Sequence, residues 1–157
     1  MSLRGFFQNA YVTHDIERAI ALCGPAMGIG DFAAMDHELV LRTPAGDKAV
    51  HLRVATGWKG MVQVELIQPV SGFVDPYAGG LPADPADCVP RWHHLAVRRD
   101  DPDALASEIA ALGLPIIFET GGNGIASTFV DATSRMGHAI EFVCATPEGW
   151  QLLGWPG

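Results

Sequence analysis

The chain has 157 residues, of which 48% are hydrophobic and 18% are charged, so its composition is that of a folded globular protein rather than a disordered one. Its 10 basic and 18 acidic side chains give a formal net charge of −8, which argues against binding to nucleic acid or to an anionic membrane surface. The N-terminal residues contain no long apolar stretch, so the sequence predicts a cytoplasmic protein without a signal peptide or a transmembrane segment.

The first half of the chain predicts a strand, a helix and three further strands. Residues 6–12 are rich in aromatic and β-branched side chains, which is typical of a strand. Apolar residues recur at helical spacing over residues 15–27, where Thr13 is the predicted N-cap. Three extended segments, separated by breaks that contain glycine or proline, are predicted at residues 32–36, 48–55 and 61–68.

The second half of the chain repeats this order after a segment rich in Pro, Gly and Asp. That segment, residues 70–90, is predicted to be a linker, with a lid over a functional site as the alternative. A helix follows that begins with Asp101 as its N-cap and Pro102 as its first residue. A hairpin turn at residues 121–124 and a short final helix at residues 147–153 are also predicted. The strands of this half are predicted at residues 92–97, 115–119, 125–131 and 139–143.

The two halves also share residues at equivalent positions. Gln8 precedes Asp15 by seven positions, as His94 precedes Asp101, and each aspartate opens the helix that follows. A sheet of four strands cannot readily bury both of its faces alone, so the two halves are expected to pair. The repeat predicts an α+β fold of two tandem βαβββ modules in a single domain. The predicted boundaries are 5–69 for the first module, 70–90 for the linker, 91–144 for the second module and 145–157 for the C-terminal tail.

Four polar side chains occupy the equivalent positions of this repeat. Gln8 and His94 lie in the first strand of each half, and Glu65 and Glu141 lie in the closing strands between apolar neighbours. Each residue taken singly is usually a surface or structural side chain. A carboxylate among apolar neighbours is costly to bury unless it is paired or metal-bound, and the fourfold coincidence favours one shared site. Because neighbouring strand residues face opposite sides, His93 or His94 is expected to be structural.

The chain resembles the vicinal oxygen chelate superfamily over nearly its whole length. The segments that carry the resemblance are residues 8–15, 64–69, 93–97, 131–137 and 140–143. In that family two βαβββ modules form an incomplete eight-stranded barrel around one divalent metal ion in a cleft. The resemblance implies a homodimer that acts on a small-molecule substrate. It also implies a metal, with zinc ranked before nickel, cobalt, manganese and magnesium, and the ligands Gln8, Glu65, His94 and Glu141.

The resemblance further implies proton transfer at a carbon next to a carbonyl group. The family's metal stabilises an enolate-like intermediate, and Glu141 and Glu65 are the two carboxylates that would move the proton. An epimerase, an isomerase or a lyase would fit. The ligand set is similar to that of glyoxalase I, whereas the surrounding segments look closer to methylmalonyl-CoA epimerase-like members. Glyoxalase I holds glutathione with an Arg and an Asn, where this chain has Val12 and Pro69.

Two other functions within the same family remain open. A binding protein of the bleomycin-resistance type would use no catalytic metal and could stack a cationic ligand on Trp58, Trp92 or Trp150, although these residues are also ordinary packing residues. An extradiol dioxygenase needs two histidines and one carboxylate around iron. That activity is disfavoured because Gln8 stands where the first histidine would be.

Overall fold

The chain folds into eight strands and five helices, which the computed structural model describes over residues 2–156. None of the helices within these residues is both long enough and apolar enough to cross a bilayer. The strands are β1 (Phe6–Val12), β2 (Ala33–Thr43), β3 (Gly46–Lys59), β4 (Val62–Gly72), β5 (Arg91–Arg99), β6 (Ile116–Gly122), β7 (Ile125–Val130) and β8 (Ala139–Ala145). The helices are α1 (Ile16–Met27), α2 (Asp75–Ala78), α3 (Pro102–Leu112), α4 (Thr133–Met136) and α5 (Pro147–Leu152).

The sheet closes into a barrel with the strand order β1-β4-β3-β2-β6-β7-β8-β5. The first four strands of this ring come from the first half of the chain and the last four from the second, so the predicted α+β fold of two βαβββ units is confirmed. The predicted incomplete barrel is wrong, because β2 continues to Thr43 instead of ending near Asp36 and so reaches β6. There Arg42 pairs with Glu119, and the hydroxyl of Thr120 donates to a backbone carbonyl of β2 at 3.2 Å.

The two halves repeat each other in strand register. β1 and β4 are parallel neighbours in the first half, as β5 and β8 are in the second. The first and closing strands of each half therefore place their candidate residues at the same relative height. The paired positions are Gln8 with Gln63 and Ala10 with Glu65 in the first half, and His94 with Ala139 and Ala96 with Glu141 in the second.

The two long helices begin at equivalent aspartates and cover the outer face of the barrel. The side chain of Asp15 accepts a hydrogen bond from a backbone N–H in the first turn of α1, and Asp101 accepts two in α3. The prediction of Thr13 as N-cap is wrong, because its hydroxyl donates to the carbonyl of Cys88 at 3.0 Å instead. Gly28 and Gly113 end the helices in the left-handed conformation that glycine adopts without strain.

Apolar side chains fill the barrel from both ends. One cluster joins residues of strands that are not neighbours in the ring, such as Leu52 of β3 and Phe129 of β7, so it must lie inside the barrel. A second cluster at the other end packs Phe7 against Trp150 of α5. The C-terminal tail therefore plugs one end of the barrel.

Several element boundaries differ from the predicted ones. β3 and β4 form a longer hairpin than expected, and their pairing continues to Val50 opposite Gly72. The predicted linker at residues 70–90 therefore includes the end of β4, and it also contains α2, whose Tyr77 is buried in the core inside the barrel. The predicted hairpin turn is confirmed at Asn123 and Gly124, which both have positive φ. The predicted final helix is confirmed as α5.

Candidate functional site

Three of the four candidate side chains meet inside the barrel. Nε2 of His94 on β5 lies 3.2 Å from Oε2 of Glu141 on β8 and 3.7 Å from Oε2 of Glu65 on β4. β1 runs between β4 and β5, and its Ala10 is the register partner of both Glu65 and His94. Because alanine carries only a methyl group, the imidazole and the carboxylates can approach each other above it. The equivalent residue of the second half, Ala96, is also fully buried.

The two glutamates are the partly exposed members of the cluster. His94 has no exposed side-chain surface, whereas 18% of the Glu65 side chain and 11% of the Glu141 side chain remain exposed. A small molecule that enters the site would therefore meet the glutamate side chains before the imidazole.

The environment of Glu65 favours its protonated form. Burial, and secondly the charge of Glu141, raise the pKa of the Glu65 carboxyl to about 8. Burial and the same two carboxylates also raise the pKa of the Tyr77 hydroxyl, so the phenol stays neutral. The site thus concentrates negative charge, and a proton or a cation between the carboxylates relieves it.

A chain of two histidines fixes which nitrogen of His94 faces the carboxylates. Nε2 of His93 lies 2.9 Å from the carbonyl oxygen of Pro76, and its Nδ1 lies 2.7 Å from Nδ1 of His94. Burial, and secondly the neighbouring His94, lower the pKa of His93 to about 4, so its ring is neutral. A carbonyl only accepts, so Nε2–H of His93 donates to Pro76, and Nδ1 of His93 accepts from Nδ1–H of His94. Nε2 of His94 is thereby turned toward the carboxylates, and it makes a hydrogen-bond contact with Oε2 of Glu141 at 3.2 Å.

The fourth candidate, Gln8, is held through a second glutamine. Its Nε2 donates to Oε1 of Gln63 at 2.7 Å, and both side chains are buried. Within residues 2–156, Oε1 of Gln8 has no hydrogen-bond partner. A buried amide oxygen without a partner is costly unless another group occupies the remaining position.

These donors fit a divalent cation. An imidazole lone pair, two carboxylates and an unpartnered amide oxygen are the nitrogen and oxygen ligands that zinc and its neighbours accept. Among residues 2–156, no group of three or more His, Cys, Asp and Glu side chains already stands in metal-binding geometry. Glu65, His94 and Glu141 instead contact one another directly. Their assignment as ligands, together with Gln8, stays a prediction.

Sequence reasoning did not find the two side chains that orient the candidate ligands, Gln63 and His93. A signal for Gln63 was present, because it lies two residues before Glu65 and so shares its strand face. One of His93 and His94 was expected to be structural, and His93 lies at a register shift of the β1–β5 pairing that strand periodicity does not predict. Pro76, which completes the histidine chain, comes from α2 in the predicted linker.

Two of the three tryptophans considered as stacking surfaces pack within the protein. Trp150 is buried against Phe7, and the indole N–H of Trp58 donates to the carbonyl of Leu153 at 3.1 Å. Trp92 is partly exposed and contacts Tyr11 edge-on. A cavity of about 450 Å³ lies outside the barrel beside α5, and its lining includes none of the four candidate residues.

Comparison with known proteins agrees with this architecture. The family model described as Glyoxalase/Bleomycin resistance protein/Dioxygenase superfamily matches residues 7–130, which is more than half of the chain. No curated protein matches the chain in sequence.

Solved structures of similar fold cover nearly the whole chain. Methylmalonyl-CoA epimerase from Mycobacterium tuberculosis aligns with a TM-score of 0.63 at 18% identity, covering 98% of this chain and 95% of that one. A variant of Streptomyces coelicolor methylmalonyl-CoA epimerase in complex with 2-nitronate-propionyl-CoA aligns with a TM-score of 0.64 at 18% identity, covering 94% and 99%. A hypothetical protein from Bacillus halodurans aligns with a TM-score of 0.61 at 15% identity, covering 90% and 94%. At these identities the likeness concerns the fold.

Proposed function

The chain belongs to the glyoxalase/bleomycin resistance protein/dioxygenase superfamily, and we propose that it is a metal-dependent enzyme that moves a proton at the carbon next to a carbonyl group. The observation that carries this proposal is the meeting of His94 with Glu65 and Glu141 inside the barrel. The two carboxylates come from equivalent positions of a repeat, on strands β4 and β8 that flank the β1–β5 pair on either side. That arrangement suits the removal of a proton on one face of a carbon and its return on the other.

Gln8, Glu65, His94 and Glu141 would hold the cation, with zinc as the first candidate. When bound, a divalent cation would polarise the carbonyl oxygen of the substrate and stabilise the negative charge that develops there. The chain itself would supply orientation. The His93 hydrogen bond turns Nε2 of His94 toward the site, and the bond to Gln63 leaves the amide oxygen of Gln8 without a partner among residues 2–156.

The two carboxylates would divide the work of proton transfer. Glu65 is the candidate acid that returns a proton to the carbon. Glu141, which contacts the imidazole at 3.2 Å, is the candidate base that takes the proton from carbon. In the reverse direction of an epimerisation the two roles exchange.

The substrate class we propose is small acyl-CoA thioesters and 2-oxo compounds with an acidic α-hydrogen. The fold likeness to methylmalonyl-CoA epimerases supports the thioesters. Val12 and Pro69 stand where glyoxalase I has residues that hold glutathione, so glutathione adducts are less favoured. The cytoplasmic location and the homodimer also stay predictions.

The test combines metal analysis with solvent-deuterium exchange. Purified protein should contain a divalent metal, and the metal-loaded protein should exchange the α-hydrogen of an acyl-CoA or a 2-oxo compound for deuterium, which NMR detects. Glu141→Gln should slow the exchange by about 100-fold or more. Protein that binds metal but exchanges no substrate of either class would contradict the proposed reaction, and so would exchange that survives this substitution.

The metal-free binding protein remains the alternative outcome of the same experiment. Trp58 and Trp150 are engaged in packing, so the structure offers a bound ligand few stacking surfaces. Protein that binds no metal and yet binds a cationic aromatic compound tightly would favour this second function.

A further inference from the structure

We propose that Gln63 is a positioning residue that, together with the C-terminal tail, fixes the orientation of the Gln8 side chain. The inference rests on the proposed function, because a cation is the group that Gln8 would bind. The relay joins three groups in sequence: the carbonyl oxygen of Leu153, the amide of Gln63 and the amide of Gln8.

The direction of this relay follows from one backbone carbonyl. Nε2 of Gln63 donates to the carbonyl oxygen of Leu153 at 3.0 Å, and a carbonyl can only accept. The opposite end of the Gln63 amide, Oε1, must therefore receive a donor, and it accepts from Nε2 of Gln8 at 2.7 Å. The only arrangement that satisfies both bonds leaves Oε1 of Gln8 unpartnered among residues 2–156.

An amide that is free to flip would present nitrogen or oxygen to the site with similar ease. Only the oxygen can bind a cation, because the amide nitrogen has no available lone pair. The hydrogen bond from Gln8 to Gln63 fixes the Gln8 amide before a cation binds, so binding costs less conformational entropy of this side chain. Residues that orient a ligand in this way typically change metal affinity by about 10- to 100-fold.

The tail end of the relay is itself anchored. The carbonyl of Leu153 also accepts the indole N–H of Trp58 at 3.1 Å. Leu153 and Trp155 pack with the aromatic cluster that plugs the barrel. The tail, which lies outside the repeat, thus reaches a candidate ligand through two hydrogen bonds, of which the one between the glutamines is buried.

The experiment measures zinc affinity by competition with a chromophoric chelator. Gln63→Met removes both hydrogen bonds at similar side-chain length and should weaken zinc binding by about 10- to 100-fold. Gln68→Met is the matched control, because Gln68 lies on the same strand and caps α1 through the N–H of Ile16. The control should lower the melting temperature and leave the zinc affinity within about twofold.

A double-mutant cycle separates orientation from general structure. If Gln63 acts through Gln8, then Gln63→Met should cause no further loss of affinity in a protein that already carries Gln8→Ala. Equal losses with and without Gln8 would overturn the inference and leave the proposed function intact, as would an unchanged affinity of Gln63→Met. If Gln63→Met does not fold, Gln63→Leu replaces it, because leucine also removes both hydrogen bonds and the same loss of zinc affinity is expected.

A readout without metal distinguishes failure of the inference from failure of the proposed function. In the metal-free wild-type protein, NMR should show a nuclear Overhauser effect that links the Gln8 side-chain NH₂ to Gln63, with slow exchange of those amide protons. Absence of that signal would overturn the relay whether or not metal binds. Its presence in a protein that binds no metal would contradict the proposed function alone.

Discussion

The first strands of the two halves, β1 and β5, carry different side chains at the same register position. β1 presents Gln8, a neutral amide, and β5 presents His94, an imidazole. Each is oriented through a neighbouring side chain of its own type, Gln63 or His93, and each relay ends on a backbone carbonyl. Those carbonyls belong to Leu153 in the tail and to Pro76 in α2, both outside the repeated strands.

This comparison separates two tasks within the fold. The repeat sets the spacing of the candidate ligands, since both halves have the same strand register. The segments outside the repeat set the orientation of those ligands, because they supply backbone carbonyls, which accept hydrogen bonds and never donate them. A duplicated module can therefore keep its backbone while each copy acquires a different ligand.

The largest expected difference between the halves is in metal retention. His94→Ala removes the only nitrogen donor of the predicted set and should leave less than about a tenth of the wild-type metal after dialysis, as measured by mass spectrometry. Gln8→Ala should retain a substantial fraction, because a neutral amide oxygen is the weakest of the four donors. His14→Ala, which removes a histidine that contacts the carbonyl of Pro82 instead, is the control. Undiminished metal in His94→Ala would refute the predicted site.

A smaller loss of zinc affinity is expected when the hydrogen bond between His93 and His94 is removed. His93→Phe keeps the stacking on Tyr77 but removes the acceptor for Nδ1–H of His94. Zinc affinity should fall by about 10-fold, less than after loss of His94 itself, because the ring remains but its orientation and basicity are no longer fixed. The matched control is His138→Phe, since His138 also makes an aromatic contact but lies outside the relay. If both substitutions change the affinity equally, the relay has no role.

A third expected effect concerns the pH dependence of stability and the carboxylate of the first half, Glu65. The pKa of Glu65 is raised to about 8 from 4.5, so between these values the folded metal-free protein holds a proton that the unfolded chain has lost. Stability should therefore fall as pH rises across this window, with a slope of up to about 1.4 kcal/mol per pH unit from this group. Urea unfolding at several pH values measures the slope.

The same experiment with Glu65→Gln should remove this contribution to the slope, because glutamine does not titrate. Glu38→Gln, which changes an exposed glutamate on β2, should leave the slope as it is in the wild-type protein. A wild-type slope unaffected by Glu65→Gln would show that burial of this carboxyl does not govern the pH dependence.

Much of the fold could be predicted because its signals are local. Asp15 and Asp101 follow Gln8 and His94 by the same seven positions, and the structure has both aspartates as N-caps of equivalent helices. The closure of the barrel could not be predicted, since it depends on how far β2 extends. That length is set by pairing with β3 along the whole hairpin rather than by the composition of β2.

The candidate site was predictable to a similar depth. Glu65, His94 and Glu141 were singled out from the repeat, and the structure brings them together. The orienting contacts of Gln63 and His93 were not found, because their partners are main-chain carbonyls distant in sequence. Every residue has a backbone carbonyl, so the residue type does not indicate which carbonyl will accept a hydrogen bond from a distant side chain.

The two places where the halves of the barrel meet differ in the number of paired residues, and this difference has a consequence for local stability. β2 meets β6 at the single register pair of Arg42 and Glu119, whereas β1 and β5 pair along most of their length. The free energy of local opening is lowest where the fewest hydrogen bonds hold neighbouring strands. The pairing between β2 and β6 is therefore expected to open before the others. In the strand order the β2–β6 pairing lies opposite the β1–β5 pairing, whose strands carry Gln8 and His94. Local opening of the sheet is therefore expected on the side of the barrel opposite the candidate ligands, whose spacing it would leave unchanged.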